Sequence, residues 1–189
     1  MQRLSRYRVA VIAADGFEFS ELAEPIRVLK DTGADVFIVS PKPGEIQGYR
    51  HFEKAEPVSV DLNLAEVGVN DFDAIMLPGG AMNADFLRMD ENLRKLLSEF
   101  DDAKKPIAAI CHAAWELVSA GLVPGRTLTS YHTIQDDIRN AGGHWVDKEV
   151  VLDDNWVTSR QPMDLPAFNK TMVDLFARDN KSRQEQVAG

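Results

Sequence analysis

Cys111 is the residue of this sequence with the clearest capacity for chemistry, because the chain's only cysteine lies where an apolar run meets a segment of helical spacing. Ala109 and Ala113 flank it two residues away on either side, which is the small-x-nucleophile-x-small pattern of a strand-turn-helix elbow. A helix N-terminus at such a turn favours the thiolate through its backbone N–H groups. The spacing indicates a candidate nucleophile, although a lone cysteine is more often a small buried hydrophobic residue.

Two other turns that follow apolar runs carry groups that could assist a nucleophile. Glu18 follows the first run and, next to a thiolate, could donate a proton or a hydrogen bond. Gly79 and Gly80 follow the third run, and their N–H groups, with that of His112, could stabilise an oxyanion. Plainer interpretations stay open, since Glu18 also suits the first turn of a helix and Pro-Gly-Gly also suits an ordinary turn.

Apolar runs alternate with segments of helical spacing along the whole chain, which is typical of a parallel sheet covered by helices on both faces. The expected elements are strands at 8–14, 34–40, 73–77, 106–110, 127–131, 145–146, 150–152 and 156–158, a hairpin within 44–61, and helices at 20–29, 90–100, 113–120, 133–141 and 164–176. The sequence therefore predicts a doubly wound α/β fold in one domain over 1–189. Its ordered core is expected at about 8–178, and a polar tail is expected to fray from 179 to 189.

The composition of the chain limits which partners it could bind and in which cellular compartment it is expected. A chain of 189 residues that is 44% hydrophobic and 27% charged suits one soluble domain. The formal charge of −9 argues against nucleic acid or an anionic membrane as a partner, since both are bound by clustered Lys and Arg. One cysteine excludes an internal disulfide and a cysteine-cluster metal site, and the four histidines lack ligand spacing. We expect no metal, no cofactor and a cytoplasmic location.

Several separate segments resemble one known family. They are Asp-Gly-Phe-Glu at 15–18, Leu-Pro-Gly-Gly at 77–80, Ala-Ile-Cys-His at 109–112, and Leu-Thr-Ser-Tyr leading to Asp-Asp-Ile-Arg-Asn-Ala-Gly at 128–142. In this order they resemble the PfpI family of intracellular cysteine peptidase-like proteins, within the class I glutamine amidotransferase-like superfamily. The resemblance extends from about residue 8 to residue 177.

The resemblance implies a three-layer, flavodoxin-like sandwich with a nucleophile elbow. It also implies that Cys111 works with the adjacent His112 and with Glu18 as its acid. In PfpI-like peptidases, an acid after the Gly-Gly turn comes from a neighbouring subunit as a glutamate. Asp85 is the nearest candidate here, and its shorter side chain departs from that pattern.

Other positions follow from the same resemblance. Tyr131 and His132 are similar to the family's pocket-lining positions, where a phenol or an imidazole could complete a proton transfer. Amidotransferases of the superfamily need a distal His-x-Glu, and no histidine follows His144, so glutamine hydrolysis is not expected. Family members are commonly dimers or larger assemblies, which implies a homo-oligomer.

Two hypotheses of different classes follow. In the first, the protein is a stress-related cysteine hydrolase or lyase of the peptidase, glyoxalase or deglycase type, acting on small aldehydes, peptides or glycated amines. In the second, the protein is a redox sensor or stress chaperone in which Cys111 is oxidised to a sulfinate held by Glu18. Both use the same thiolate.

Overall fold

The computed structural model describes residues 3–188 and consists of a central sheet, two smaller sheets and six α-helices within that range. In chain order the strands are β1 (Arg8–Ile12), β2 (Phe17–Glu18), β3 (Asp35–Ser40), β4 (Glu45–Arg50), β5 (Glu53–Ser59), β6 (Leu62–Asn63), β7 (Ala74–Leu77), β8 (Ile107–Ile110), β9 (Thr127–Leu128), β10 (His144–Trp145), β11 (Val150–Asp153) and β12 (Trp156–Ser159). The helices are α1 (Phe19–Asp31), α2 (Ala81–Leu87), α3 (Glu91–Asp102), α4 (Ala114–Ser119), α5 (Gln135–Asn140) and α6 (Leu165–Ala188). Met1, Gln2 and Gly189, which belong to the predicted domain, lie outside the described residues.

The central sheet has seven strands in the order β11-β12-β8-β7-β1-β3-β6. All neighbours pair in parallel except the edge strand β11, which is antiparallel to β12. Strands β7 and β8 are apolar at every position and fully buried, as expected for central strands covered on both faces. The predicted α/β fold with a mainly parallel, doubly wound sheet is confirmed.

Alternate strand residues enter two separate cores, one on each face of the sheet. Ile12 and Leu77 lie in the core that packs against α3, α4 and α5, whereas Val11 and Met76 lie in the core that packs against α1 and α6. This arrangement gives the three layers. No helix of residues 3–188 combines the length and the apolarity needed to cross a bilayer.

Helix α3 forms where its capping residue and apolar spacing predict it. The Asp90 side chain accepts hydrogen bonds from the backbone N–H groups of Asn92 (2.8 Å) and Leu93 (3.1 Å). Such a cap stabilises a helix by about 1 kcal/mol. The buried face of the helix consists of Leu93, Leu96, Leu97 and Phe100, at the spacing i, i+3, i+4 and i+7.

The predicted hairpin is present as β4 and β5, which pair antiparallel. It is joined by the two-residue strand β2, which pairs with β4 in parallel and places Glu18 opposite Tyr49. The sequence does not predict β2, which is too short to show alternation. This small sheet brings the hairpin to the carboxyl edge of the central sheet, next to the turn after β1.

The C-terminal helix differs from the expected tail. Helix α6 continues past Asp179 to Ala188 instead of fraying. The Tyr7 hydroxyl donates to Asp179 Oδ2 (2.7 Å), and Arg183 forms an ion pair with Asp73 (2.7 Å). Tertiary contacts to the N-terminal segment and to the turn before β7 therefore support polar residues that, from sequence alone, would not hold a helix.

Candidate active site

Cys111 lies directly after β8, at the carboxyl edge of the central sheet, where ligands bind in open α/β folds. Its φ of 64° is in the left-handed region, which is uncommon for a residue other than glycine and is frequent at functional sites. A short 3₁₀ turn, Cys111–Ala113, then leads into α4. The predicted strand-turn-helix elbow is therefore present, with buried Ala109 and Ala113 on either side of the thiol.

Cys111 is 7% exposed and lines a cleft of about 560 Å³. The backbone N–H groups of Gly80 and His112 donate hydrogen bonds to it. The Nδ1 atom of His112 lies 3.3 Å from Sγ. The structure thus brings together Cys111, His112 and Gly80 as the sequence suggests.

The acid that contacts the thiol is Glu21, not Glu18. Glu21 is fully buried on α1, and its side chain shares a hydrogen bond with that of Cys111. Its Oε2 atom accepts the backbone N–H of Gly79 (3.0 Å), so this N–H is directed at the acid and not at a substrate oxygen. The Oε1 atom accepts no hydrogen bond from any group in residues 3–188.

Gly79 is the residue that allows this contact. A Cβ atom there would lie 2.6 Å from Cys111 Cβ and would also overlap the Glu21 carboxyl. Any other residue type would separate the acid from the thiol. Asn83 fixes the same turn: its Oδ1 accepts from Ala14 N (2.7 Å), and its Nδ2 donates to the carbonyl oxygens of Pro78 (3.1 Å) and Gly79 (3.2 Å).

Burial governs the protonation of this pair. Burial raises the pKa of Glu21 to about 8, and the charge of Glu18 adds to that effect. Burial, followed by the charge of Glu21, raises the pKa of the Cys111 thiol, while the N–H groups of Gly80 and His112 oppose the shift. The expectation of a thiolate favoured by a helix N-terminus is therefore corrected, because α4 has only six residues and the sulfur is desolvated.

Glu21 and Cys111 titrate as a coupled pair. Near neutral pH the Glu21 carboxyl is mainly protonated, so it carries no charge that would repel a thiolate at Cys111. As the pH rises through about 8, the carboxyl ionises and its charge then disfavours the thiolate.

Glu18 lies in the same cleft without reaching the thiol. Its Oε1 accepts from the Ser20 hydroxyl (3.0 Å), and its Oε2 accepts from the backbone N–H of His51 (3.0 Å). Asp85 is exposed on α2 and does not line the cleft of its own chain. The structure therefore separates both acids from Cys111.

Aromatic rings form one wall of the site. The His112 ring stacks on Tyr131 with centroids 4.8 Å apart, and Tyr131 contacts the His132 ring at 4.5 Å. Burial and the charge of His132 lower the pKa of His112. Tyr131 lines the cleft, whereas His132 is exposed behind it.

Sequence reasoning misses Glu21 and the residues that come from distant segments. The hairpin contributes Tyr49, His51 and Phe52, and the turn before α6 contributes Gln161 and Met163. No group of three or more His, Cys, Asp or Glu residues in the described part of the chain is arranged to hold a metal ion.

Comparisons with known proteins identify the family of the chain. The chain is 41% identical over 169 residues to a deglycase of Thermococcus kodakarensis, covering 89% of this chain and 99% of that protein. It is 38% identical over 170 residues to protein/nucleic acid deglycase 2 of Escherichia coli, covering 89% and 97%. A two-domain protein of Anabaena variabilis with DJ-1/ThiJ/PfpI-like and ferritin-like domains superposes with a TM-score of 0.84 at 29% identity, over 89% of this chain and 48% of that one. The model of the DJ-1/PfpI family matches residues 7–175, and the chain belongs to that family.

Proposed function

We propose that this protein is a cysteine-dependent hydrolase of the deglycase type, which removes carbonyl-derived adducts from amines and thiols. The observation that carries the proposal is the placement of Cys111 beside the fully buried Glu21, on either side of Gly79, in a cleft. The deglycase names of the relatives from Thermococcus kodakarensis and Escherichia coli support the substrate class.

The geometry supports attack by sulfur on a carbonyl carbon. As the S–C bond forms, the electron pair of the C=O bond moves to oxygen, next to the N–H groups of Gly80 and His112. Glu21 then supplies the proton to the oxyanion or to the leaving amine, which suits an acid with a pKa of about 8. Water then adds to the carbon bound to sulfur, the S–C bond breaks, the acid product leaves, and the protons of water restore the Cys111 thiol and the Glu21 carboxyl. A reducing cytoplasm is the expected compartment, since the thiol must stay reduced to act as the nucleophile.

The test is the release of lactate and of the unmodified compound from Nα-acetylcysteine amide and Nα-acetylarginine amide that have been treated with methylglyoxal. We expect wild-type protein to release both products and Cys111→Ser to release neither. Free methylglyoxal is assayed in parallel to measure glyoxalase turnover, and a fluorogenic peptide to measure peptidase turnover. Lactate release by Cys111→Ser at the wild-type rate would refute the proposal.

Asp85, the candidate acid of a peptidase triad with Cys111 and His112, is exposed on α2 and does not line the cleft of its own chain. Met82, Phe86 and Met89, on and just after this helix, are 59%, 59% and 69% exposed. We propose that this face packs against a second copy of the chain, which would cover these side chains and could bring Asp85 to a neighbouring cleft. Light scattering of wild type and Phe86→Glu tests it: a monomeric wild type contradicts it.

Oxidation of Cys111 is a second candidate function, favoured by the donors around the sulfur. A peroxide would convert the thiolate first to a sulfenate and then to a sulfinate, releasing one water or hydroxide at each step. The N–H groups of Gly80 and His112 and the acid proton of Glu21 could bind the sulfinate oxygens. Mass spectrometry after peroxide treatment would show the gain of two oxygen atoms at Cys111, and overoxidation to the sulfonate in Glu21→Ala.

A further inference from the structure

Glu18 is held in a defined position inside the cleft although it does not touch the nucleophile. The Ser20 hydroxyl and the His51 backbone N–H each donate to a different oxygen of its carboxylate. Both donors are neutral, so they orient the group without compensating its charge. Each oxygen keeps a free lone pair for a further donor.

Glu18 forms no ion pair with a Lys, Arg or His side chain of residues 3–188. None of the cleft-lining residues in the described part of the chain is Lys or Arg. Arg50, on the strand beside it, is paired with Glu56 (3.2 Å), and Lys42 is paired with Asp15 (2.7 Å). Glu18 is therefore a positioned carboxylate without an ion-pair partner among the described residues, in the cleft that contains Cys111.

The walls beside this charge are apolar and accessible. Phe52 and Met163 line the cleft and are 98% and 84% exposed, and Tyr49, the register partner of Glu18, also lines it. Alkyl stems of long basic side chains pack on such surfaces while the charged end reaches a polar partner. Aromatic rings also attract cations.

We propose that Glu18 determines specificity for adducts carried by cationic groups, by binding the guanidinium or ammonium of a glycated arginine, lysine or amine while Cys111 acts on the adduct. This inference rests on the proposed deglycase function and names its substrate class. Neutral glycated thiols and anionic substrates lack the cation that Glu18 would bind.

Binding can be tested without turnover, because the chain's only cysteine reports occupancy of the cleft. Nα-acetylarginine amide and its neutral isostere Nα-acetylcitrulline amide are each added before iodoacetamide, and alkylation of Cys111 is followed by mass spectrometry. We expect the arginine compound to protect at about tenfold lower concentration, as a charge-assisted hydrogen bond allows. Equal protection by the two compounds overturns the inference.

The matched variants are Glu18→Gln, which keeps an acceptor for the His51 N–H, and Glu45→Gln, which removes an exposed carboxylate from β4 outside the cleft. We expect Glu18→Gln to remove the preference for the arginine compound and Glu45→Gln to retain it. A preference that survives in Glu18→Gln assigns the cation to another group and refutes the role of Glu18.

Turnover separates failure of this inference from failure of the proposed function. The ratio of kcat/KM for the methylglyoxal adduct of Nα-acetylarginine amide to that of Nα-acetylcysteine amide is expected to fall about tenfold in Glu18→Gln, chiefly through KM. If wild type releases lactate from neither adduct, the deglycase function fails, whatever the alkylation result. If it releases lactate from both adducts and the ratio is the same in Glu18→Gln, only the specificity role fails.

Discussion

Glu21 and Glu116 are two glutamates of equal burial with different surroundings. Both are fully buried, and burial raises the pKa of each. Glu21 accepts the Gly79 N–H and shares a hydrogen bond with Cys111. Glu116, five positions after Cys111 on α4, has no partner for either carboxyl oxygen among the described residues. A buried acid with a raised pKa is therefore a functional candidate only where a reactive atom lies beside it.

The structure tolerates Glu116 because it can remain protonated. An unpartnered neutral carboxyl costs about 1–3 kcal/mol on burial, far less than an isolated charge. Leu117 and Ala114, next to it on α4, are buried in the core. Glu116 is thus a site of lost stability, whereas Glu21 is a site of proposed chemistry.

The largest expected difference is in activity. We expect Glu21→Gln to lower kcat/KM for the arginine adduct about a hundredfold, because general-acid catalysis contributes about 10²–10⁴-fold and the amide has no transferable proton. Glu116→Gln should stay within about twofold of wild type, since no reacting group lies beside it. Lactate release measures both. An equal loss in the two variants would mean that burial of an acid, not its contact with Cys111, governs activity.

At Glu116 we expect a gain in stability, in contrast to the loss of activity expected at Glu21. Replacement of an unpartnered buried carboxyl by an apolar side chain removes a desolvation cost, so Glu116→Leu should raise the free energy of unfolding by about 2 kcal/mol at pH 8. Urea unfolding with an unchanged m-value measures it. Glu53→Leu, at an exposed position of β5, is the control and should stay within about 0.5 kcal/mol. Destabilisation by Glu116→Leu would show that Glu116 has a stabilising partner.

The pH dependence of stability gives a smaller effect with a definite sign. The pKa of Glu21 is about 8 in the folded state, well above its ordinary value of 4.5. Between these two values the unfolded chain loses a proton that the folded chain keeps, so stability falls as pH rises. Each such group contributes at most about 1.4 kcal/mol per pH unit.

Urea unfolding at several pH values between 5 and 8 measures this slope. We expect it to be shallower in Glu21→Gln and also in Glu116→Gln, since burial raises both pKa values. The effects of the two substitutions should add, because the acids have separate environments. A slope unchanged in Glu21→Gln would mean that Glu21 is ionised in the folded protein, and the protonated acid beside Cys111 would then be wrong.

The fold was largely predictable because strong local patterns determine its main elements. Continuous apolar runs predict the central strands, and the capping residue with apolar spacing predicts α3. The sequence does not predict α2, a seven-residue helix that begins after Gly80 at a φ of 95°. Because Met82 and Phe86 are apolar but exposed, α2 lacks the amphipathic spacing that would predict a helix. Residues 179–188 are helical through tertiary contacts that no local pattern shows.

The site was predictable only in part. The elbow pattern identifies Cys111, and the Gly-Gly turn identifies Gly80. Glu18, in β2, and Glu21, in the first turn of α1, lie three positions apart, and only the direction of α1 decides which carboxyl points inward. A signal was present, since Glu21 lies beside Leu22 on the buried face of the helix. Residues from the hairpin depend on the two-residue strand β2, whose pairing has no sequence pattern.

The smallest expected effect concerns the imidazole on the other side of Cys111. Burial and, after it, the charge of His132 lower the pKa of His112, so His132→Asn should raise this pKa in part, as NMR titration of the histidine ring protons would show. Because Glu21 shares the hydrogen bond with the thiol, the alkylation rate of Cys111 at pH 8 should change less than about twofold. His144→Asn, at an exposed position on β10, is the control. A tenfold change in the alkylation rate in His132→Asn, but not in His144→Asn, would mean that His112 controls the reactivity of the thiol. Glu21 would then be, like Glu116, a buried acid without a role in the chemistry.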